Sequence, residues 1–284
     1  MWAALLIALA SPAWAGSCCG GSTPLLPAHV DRTESALFGM TADVSFGLAR
    51  SDPSGRVRPL SIQEQGLTWT GLVGWRWDPK GQISLTVPWV INHRASESLS
   101  SWAAQPGDVR VTALWEPLLE SRAYGHETGA PVPALAIGVR APTGRPWSAS
   151  EDPLGADITG GRDVGLSASL VAQRTTDDIP WSLSIGAEVG VGTGEVTPAL
   201  HAGGGVGGLL AERWTLAGSL SFEQSWARST TGWTPSSHTG AQLQATYSVF
   251  RHYRVWASVG ADLPALGREH TLEGHTVLGV AWVR

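Results

Sequence analysis

The sequence is poor in charge, in lysine and in cysteine, and each shortage excludes a class of protein. Charged residues are 15% of the 284 residues, against roughly 25% in soluble domains. Lys80 is the only lysine and the net charge is -5, so the chain offers no basic surface for nucleic acid. Cys18 and Cys19 are neighbours in the sequence, and neighbouring cysteines cannot join distant strands in a disulfide framework.

The cysteine pair itself has three interpretations, of which we favour the first. Cys18 and Cys19 are ordinary residues of a tail, or Cys18 carries a lipid after cleavage of a leader, or the pair binds a soft metal. The preceding residues, Ala15-Gly16-Ser17, are a poor match to the Leu-rich approach of a lipoprotein cleavage site. No further ligand cluster accompanies the pair, so we expect neither a metal nor another cofactor.

Long apolar runs are also missing. A transmembrane helix needs about 20 apolar residues, and no segment is both that long and that apolar. Residues 1–15, MWAALLIALASPAWA, have a short apolar core and a small-x-small cleavage site, which indicates a secretory signal peptide. The chain is therefore predicted to be exported. If it is integral to a membrane it must be a closed barrel, because only helices and closed barrels satisfy every backbone group in lipid.

The sequence is rich in tryptophan and glycine, with 15 and 35 residues. The stretch 66–92 alternates with period two on both sides of a turn at 78–81, which predicts a hairpin. Trp69, Trp75 and Trp89 lie on one face, and Thr, Ser, Gly and Gln occupy the other. A soluble sandwich would carry Lys and Glu on its solvent face, whereas a transmembrane barrel turns an apolar face to lipid and a polar face to a lumen.

The same alternation recurs along the chain and predicts an all-β protein. We expect a closed, antiparallel, up-and-down transmembrane β-barrel of about 12 strands at 35–284, after a signal peptide at 1–15 and a periplasmic tail or partial plug at 16–34. Long outer loops are predicted at 50–65, 93–106, 142–162 and 227–238. Segments 117–131 and 193–197 do not fit the alternation of short turns and long loops. Strands are predicted near 38–48, 67–77, 82–92, 108–116, 133–141, 163–173, 181–192, 200–211, 214–223, 242–249, 253–262 and 276–282.

Charged residues within these strands fall on the predicted inner face. Shifting a strand by one residue would turn an arginine to lipid, at a cost of roughly 2 to 4 kcal/mol at the midplane. We predict that a lumen-facing set determines selectivity, and structural ion pairs are an equally good interpretation of the same residues. The set comprises Arg76, Arg110, Arg140, Glu188, Glu223, Arg254 and Asp262.

Other motifs have plainer interpretations than catalysis or cofactor binding. The glycines of 203–208 match GxGxxG, but a strand rather than a helix follows them, so no dinucleotide site is predicted. Residues 269–275, EHTLEGH, do not match a metal motif and are predicted to be a solvated outer loop. Ser225 and the pair Ser237-His238 are only weak hydrolase candidates. We predict no enzymatic activity.

Three short motifs carry the most specific signal. Pro106-Gly107-Asp108-Val109 opens one predicted strand, Pro142-Thr143-Gly144-Arg145 follows another, and Thr159-Gly160-Gly161-Arg162-Asp163-Val164 precedes a third. Pro lacks the amide that further pairing needs, and Gly permits a turn. We therefore predict that Pro142, Thr143, Gly144 and Arg145 begin a mouth loop that folds over or into the barrel.

The order of these motifs resembles the family of outer-membrane β-barrel transporters of the phenol-degradation meta-pathway type. The resemblance covers the middle third of the chain by motif and the whole chain by strand pattern. It implies an outer-membrane barrel linked to the uptake or export of small, often aromatic or hydrophobic, compounds. The chain departs from the usual barrel ending, because Arg284 follows Trp282-Val283 where an aromatic residue commonly ends the last strand.

The predicted function is therefore that of a porin-like channel or transporter for the passive passage of small, including hydrophobic or aromatic, compounds. Its expected partners are outer-membrane lipid and a small-molecule permeant, without nucleic acid. Barrels of about eight strands are filled and those of 16 to 18 are open, so the lumen should be narrow or partly obstructed. Two other classes stay open: a structural or lipase-like outer-membrane barrel, and a secreted soluble β-sandwich that binds a ligand.

Overall fold

A computed structural model describes residues 35–51, 56–78, 80–117, 132–161, 163–174, 181–191, 196–211, 214–229, 232–250, 252–262 and 271–284. The predicted signal peptide and the tail at 16–34, with both cysteines, lie outside these residues. Most of segments 117–131 and 193–197 lies outside them as well. No described helix is long and apolar enough to cross a membrane.

The described chain forms one antiparallel sheet of 14 strands that closes on itself. β1 pairs with β14 along most of its length. Twelve strands form the closed ring. The other two, β2 and β5, pair only with β1 and with β4, respectively. The predicted closed barrel is thus confirmed. The strands are β1 Ala36–Ser51, β2 Val57–Arg58, β3 Gln63–Asp78, β4 Gly81–Ala95, β5 Ser100–Pro106, β6 Val109–Trp115, β7 Val132–Ala141, β8 Val164–Arg174, β9 Trp181–Val191, β10 Val196–Ala211, β11 Trp214–Ser229, β12 Gly232–Phe250, β13 Tyr253–Asp262 and β14 Thr271–Val283.

Apolar side chains cover the outer face of the barrel, as the alternation predicts. Trp75, Leu170 and Ile185 on this face are 57%, 62% and 64% exposed, whereas Asp43 and Thr246 on the inner face are each 3% exposed. A sandwich would instead bury the apolar rows between two sheets. The exposed rows therefore rule out the soluble sandwich, and the chain folds as an outer-membrane β-barrel whose apolar face meets lipid.

Two predicted outer loops are wrong. Most of 93–106 is strand, because β4 continues to Ala95 and β5 pairs back along it. Most of 227–238 is also strand, because β11 and β12 continue as a hairpin to Ser229 and Gly232. These parts extend beyond the roughly 9 to 11 residues that cross the hydrocarbon layer. Backbone pairing continues there, but lipid no longer selects an apolar face, so the alternation in the sequence fades.

The prediction that 269–275 is a solvated outer loop is wrong from Thr271 onwards, and residues 269 and 270 lie outside the described residues. β14 begins at Thr271, and its pairing with β1 places Glu273 beside Gly47 and His275 beside Ser45. Both side chains face the lumen and are buried. Their apolar neighbours in β14 before Val277 are only Leu272 and Gly274, which is too short an apolar row to reveal a strand.

One strand of the wall is interrupted. β5 and β6 pair with the outer and periplasmic parts of β4, respectively, and Gly107-Asp108 separates them. The interruption lies beside Pro88 of β4, which has no N–H to donate across the sheet. The Gly107 amide instead donates to the Pro88 carbonyl over 2.9 Å. β7 pairs with β6 and not with β5 on this side, so among the described strands only β4 lies beside β5.

Two apolar clusters lie on the inner face of the periplasmic half of the lumen, beside buried polar side chains such as Gln82 and Glu116, so the prediction of a polar inner face is only partly right there. A narrow barrel leaves room inside mainly for its own inward side chains. The Trp256 ring lies across Gly279, where any side chain would collide with it. The two apolar clusters consist of Leu114, Ala134, Ala136 and Val171, and of Leu37, Leu72, Ala281 and Val283 with Trp256 packed against them.

Candidate functional site in the barrel lumen

The segment 142–161, between β7 and β8, folds into the barrel. Inward-facing side chains of β4 hold it. Asn92 Nδ2 donates to the carbonyls of Ala156 and Ile158 over 3.1 and 2.9 Å, and Arg94 Nη1 donates to the Leu154 carbonyl over 2.9 Å. Ala156 has no exposed surface. The predicted mouth loop is therefore an inner loop that narrows the outer half of the lumen.

Both ends of this inner loop are tied to the interruption between β5 and β6. Asp108 Oδ1 accepts the Gly144 amide over 3.0 Å, and its Oδ2 accepts the Gly161 amide over 2.7 Å. Arg140 Nη1 donates to the same Oδ2 over 2.7 Å. A Cβ on Gly144 would lie 2.7 Å from the Gly160 Cα, so only glycine allows the two ends to meet. We call Asp108, Arg140, Gly144 and Gly161 the loop clasp.

Two threonines reinforce the loop clasp. Thr143 Oγ1 donates to the Gly107 carbonyl over 2.6 Å and accepts the Val109 amide over 2.9 Å. Thr159 Oγ1 donates to the Pro106 carbonyl over 2.8 Å. These bonds satisfy backbone groups that the broken ladder leaves without strand partners. The three sequence motifs on which the family resemblance rests thus meet at a single place in the fold.

Asp157 organises the inside of the inner loop. Its carboxylate accepts hydrogen bonds from Ser150 Oγ, from the Glu151 amide over 3.0 Å, and from Arg145 Nη1 over 2.9 Å. Burial alone would raise the pKa of this carboxyl, but the three hydrogen bonds outweigh burial and lower the pKa of Asp157 to about 2. The loop therefore depends on an ionised Asp157.

This dependence predicts how the inner loop responds to acid. An aspartate in an unfolded segment has a pKa of about 3.9, so the docked loop keeps its full stabilisation above that pH and loses it as the pH falls through about 2. After correction for intrinsic exchange, amide protection of 151–160 should stay constant from neutral pH to about pH 5 and fall below about pH 4. Asp157→Asn should lower protection at neutral pH and remove the acid response. Loss of wild-type protection already at about pH 6 would assign the control to another group.

A buried ion network continues from the loop clasp into the middle of the lumen. Arg110 and Arg140 are directly opposite each other on β6 and β7, a like-charge pair that is unfavourable by itself. Glu188 of β9 bridges them, with 2.9 Å from Oε1 to Arg140 Nε and 3.1 Å from Oε2 to Arg110 Nη2. Since Arg140 also bonds Asp108, the network couples the inner loop to the barrel wall.

The predicted lumen residues lie in separate groups. Arg110, Arg140 and Glu188 meet in the network. Arg76 pairs with Glu116 over 3.0 Å towards the periplasmic end. Glu223 lies beside His201 in the register of β10 and β11. Arg254 is half-buried on β13, and Asp262 Oδ2 accepts the Glu273 amide over 2.8 Å at the outer end of that strand.

Several residues of these groups are absent from the predicted lumen-facing set. Asp108 and Glu116 are on the inner face by alternation, but their partners could not be identified before the strands were placed side by side. The hydrolase candidates Ser225 and Ser237-His238 stay weak predictions; in the hairpin of β11 and β12, Ser225 lies beside Ser236 and His238 lies beside Glu223. A different contact joins Ser169 Oγ and His201 Nε2 over 3.2 Å. Both of these residues are buried on the lumen wall, away from the lipid that a lipase-like barrel would act on.

Solved structures of outer-membrane barrels resemble this fold. An outer membrane channel from Pseudomonas putida F1 superposes with a TM-score of 0.67 at 10% identity, covering 88% of this chain and 96% of that one. The translocator domain of autotransporter NalP from Neisseria meningitidis gives 0.54 at 11% identity over 87% and 88% of the two chains. The β domain of the Bordetella autotransporter Brka gives 0.51 at 12% identity over 87% and 99%.

These likenesses concern the fold. No protein-family profile and no curated protein sequence matches the chain. The resemblance to the phenol-degradation type therefore stays a prediction, whereas the closed barrel of the outer-membrane class is shared with all three solved structures.

Proposed function

We propose that the protein is an outer-membrane channel through which small compounds, including hydrophobic or aromatic ones, pass passively. The observation that carries this proposal is the layered lumen. The inner loop narrows the outer part, ion pairs line the middle, and two apolar clusters beside the Arg76–Glu116 pair line the periplasmic part. Outer-membrane lipid and a small-molecule permeant are the partners that this arrangement suits.

The apolar layer supports the choice of permeant. A hydrated sugar or ion that crosses it gives up hydrogen bonds to water, and each unpaired polar group costs roughly 2 to 7 kcal/mol in an apolar environment. An aromatic or aliphatic molecule pays no such penalty. The sequence resemblance points to the same class of compound, and the similar barrel from Pseudomonas putida F1 is described as an outer membrane channel.

A pair of tryptophan variants tests whether compounds pass through the lumen. Ala136 is 2% exposed on the inner face, and Ala168 is exposed on the outer face. The two residues lie on neighbouring strands, because Ala136 pairs with Ser169. Ala136→Trp should narrow the lumen, whereas Ala168→Trp adds the same ring to the lipid-facing surface. Filling a packed interior costs roughly 1 to 3 kcal/mol, so folding of both variants is checked by heat-modifiable gel mobility.

The readout is uptake of a fluorescent hydrophobic naphthylamine by a porin-deficient Gram-negative strain, together with conductance in planar bilayers. We expect uptake and conductance with the wild type and with Ala168→Trp, and a loss of both with Ala136→Trp. Absence of uptake and of conductance in a correctly inserted wild-type barrel would instead favour a structural or enzymatic role.

A further inference from the structure

A second group of charged side chains lies across the barrel from the ion network, where β13, β14 and β1 meet. We call Asp43, Asp262, Glu273 and His275 the carboxylate cluster. All four side chains face the lumen and are at most 7% exposed. His275 lies beside Ser45, two residues from Asp43 on the same inner face of β1. Three carboxylates thus share this wall with a single imidazole.

The two walls differ in how their carboxylates are compensated. Asp108, Glu116 and Glu188 each have an arginine within 3.1 Å. In the carboxylate cluster, Asp43 Oδ1 is 3.7 Å from His275 Nδ1. This contact is too long for a hydrogen bond, so both oxygens of Asp43, like Oε2 of Glu273, are buried and accept none. Within the described ranges, no Arg or Lys nitrogen comes within 4.0 Å of the Asp43 or Glu273 carboxylate.

Buried carboxylate oxygens without donors are unfavourable, because they have lost water and gained no partner. A cation on this wall would offset that cost. A metal ion fits poorly, since the described residues contain no group of three His, Cys, Asp or Glu arranged to hold one. A primary ammonium group fits better, because it brings both a positive charge and three N–H donors, and both oxygens of Asp43 and Oε2 of Glu273 lack donors.

We propose that the carboxylate cluster is a binding site for the primary ammonium group of a permeating organic amine. Asp43 Oδ2 and Glu273 Oε2 accept its hydrogen bonds, and Asp262 adds negative charge beside them. The site rests on the proposed function, because a conducting lumen is what brings amines to this wall. The site extends the proposed class of permeants from apolar compounds to apolar compounds that also carry an amine.

Block of potassium current in planar bilayers tests the site. n-Butylammonium should reduce the current of the full-length protein, and tetramethylammonium, which has the same charge but no N–H donor, should do so at roughly tenfold higher concentration. Asp43→Asn and Glu273→Gln keep the side-chain shape and remove the charge. Each should weaken the n-butylammonium block by roughly tenfold or more, as expected for the loss of a charge-assisted hydrogen bond.

Glu97→Gln is the matched control, because Glu97 is an exposed carboxylate between β4 and β5 and should leave the block unchanged. The proposal would be overturned if the two ammonium ions blocked the current at equal concentrations, or if the n-butylammonium block were unchanged in both cluster variants. Titration calorimetry of the detergent-solubilised barrel with n-butylammonium measures binding to the site independently of conduction. A wild type that does not conduct, but binds the amine and loses binding in Glu273→Gln, would therefore contradict the channel and keep the site.

Discussion

Replacing Asp108 by alanine is expected to release the inner loop from the barrel wall and to raise single-channel conductance severalfold. The Asp108 carboxylate accepts hydrogen bonds from the amides at both ends of the loop and from the Arg140 guanidinium. Its removal therefore breaks three hydrogen bonds at once. Arg140 also loses one of its two carboxylate partners. Breaking a buried ion pair costs roughly 3 to 5 kcal/mol, which is enough to shift a docked loop to an undocked ensemble.

The conductance of Asp108→Ala is measured in planar bilayers beside two comparisons. Glu151→Gln removes a carboxylate from the same loop, but one with an 87% exposed side chain, and should behave as the wild type. Amide exchange of 144–161 should rise in Asp108→Ala alone. A folded Asp108→Ala barrel with wild-type conductance and exchange would show that the loop is held by Asn92 and Arg94 without the loop clasp.

Replacing Glu188 by glutamine should destabilise the barrel and shift its ion selectivity towards anions. Glu188 is the carboxylate between Arg110 and Arg140, which are opposite each other on adjacent strands. Without its charge, two buried guanidinium groups repel each other in a region of low dielectric constant. We expect a loss of roughly 3 to 5 kcal/mol in the free energy of unfolding, measured by urea titration in detergent, and a more anion-selective reversal potential in a potassium chloride gradient.

A double-mutant cycle separates the network from general damage to the wall. If Glu188 acts mainly by compensating Arg110, the variant Arg110→Gln/Glu188→Gln should be more stable than the sum of the single losses, because the uncompensated charge is removed along with the missing carboxylate. Strictly additive losses would contradict the network, and so would a Glu188→Gln barrel with unchanged selectivity.

Much of the fold follows from the sequence, because lipid imposes a simple rule on the strand centres. Trp75 and Trp77 cannot share a face with Arg76, and the cost of arginine in lipid decides which face is inner. That rule holds only across the hydrocarbon layer. Above it, β5 and the ends of β11 and β12 continue the backbone pairing, and their side chains carry no comparable apolar period.

The sites were harder to predict than the strands. Gly107-Asp108, Thr143-Gly144 and Thr159-Gly160 were visible as motifs, but their meeting depends on a strand interruption beside Pro88, which belongs to another part of the sequence. The sequence predicts a loop at Glu273 and His275, because their strand has few apolar residues at its outer end. Neighbour relations across a sheet, such as Asp43 with His275, are not encoded in local spacing.

The separations along the chain also constrain how the barrel assembles. The loop clasp joins positions 36 and 53 residues apart, whereas the seam joins Ser35 to Arg284, 249 residues apart. Closing a shorter segment costs less chain entropy, so the clasp should form early, on a sheet that is still open. Such an order spares the polypeptide from threading through a finished cylinder, since its central obstruction is already in place when the first and last strands meet.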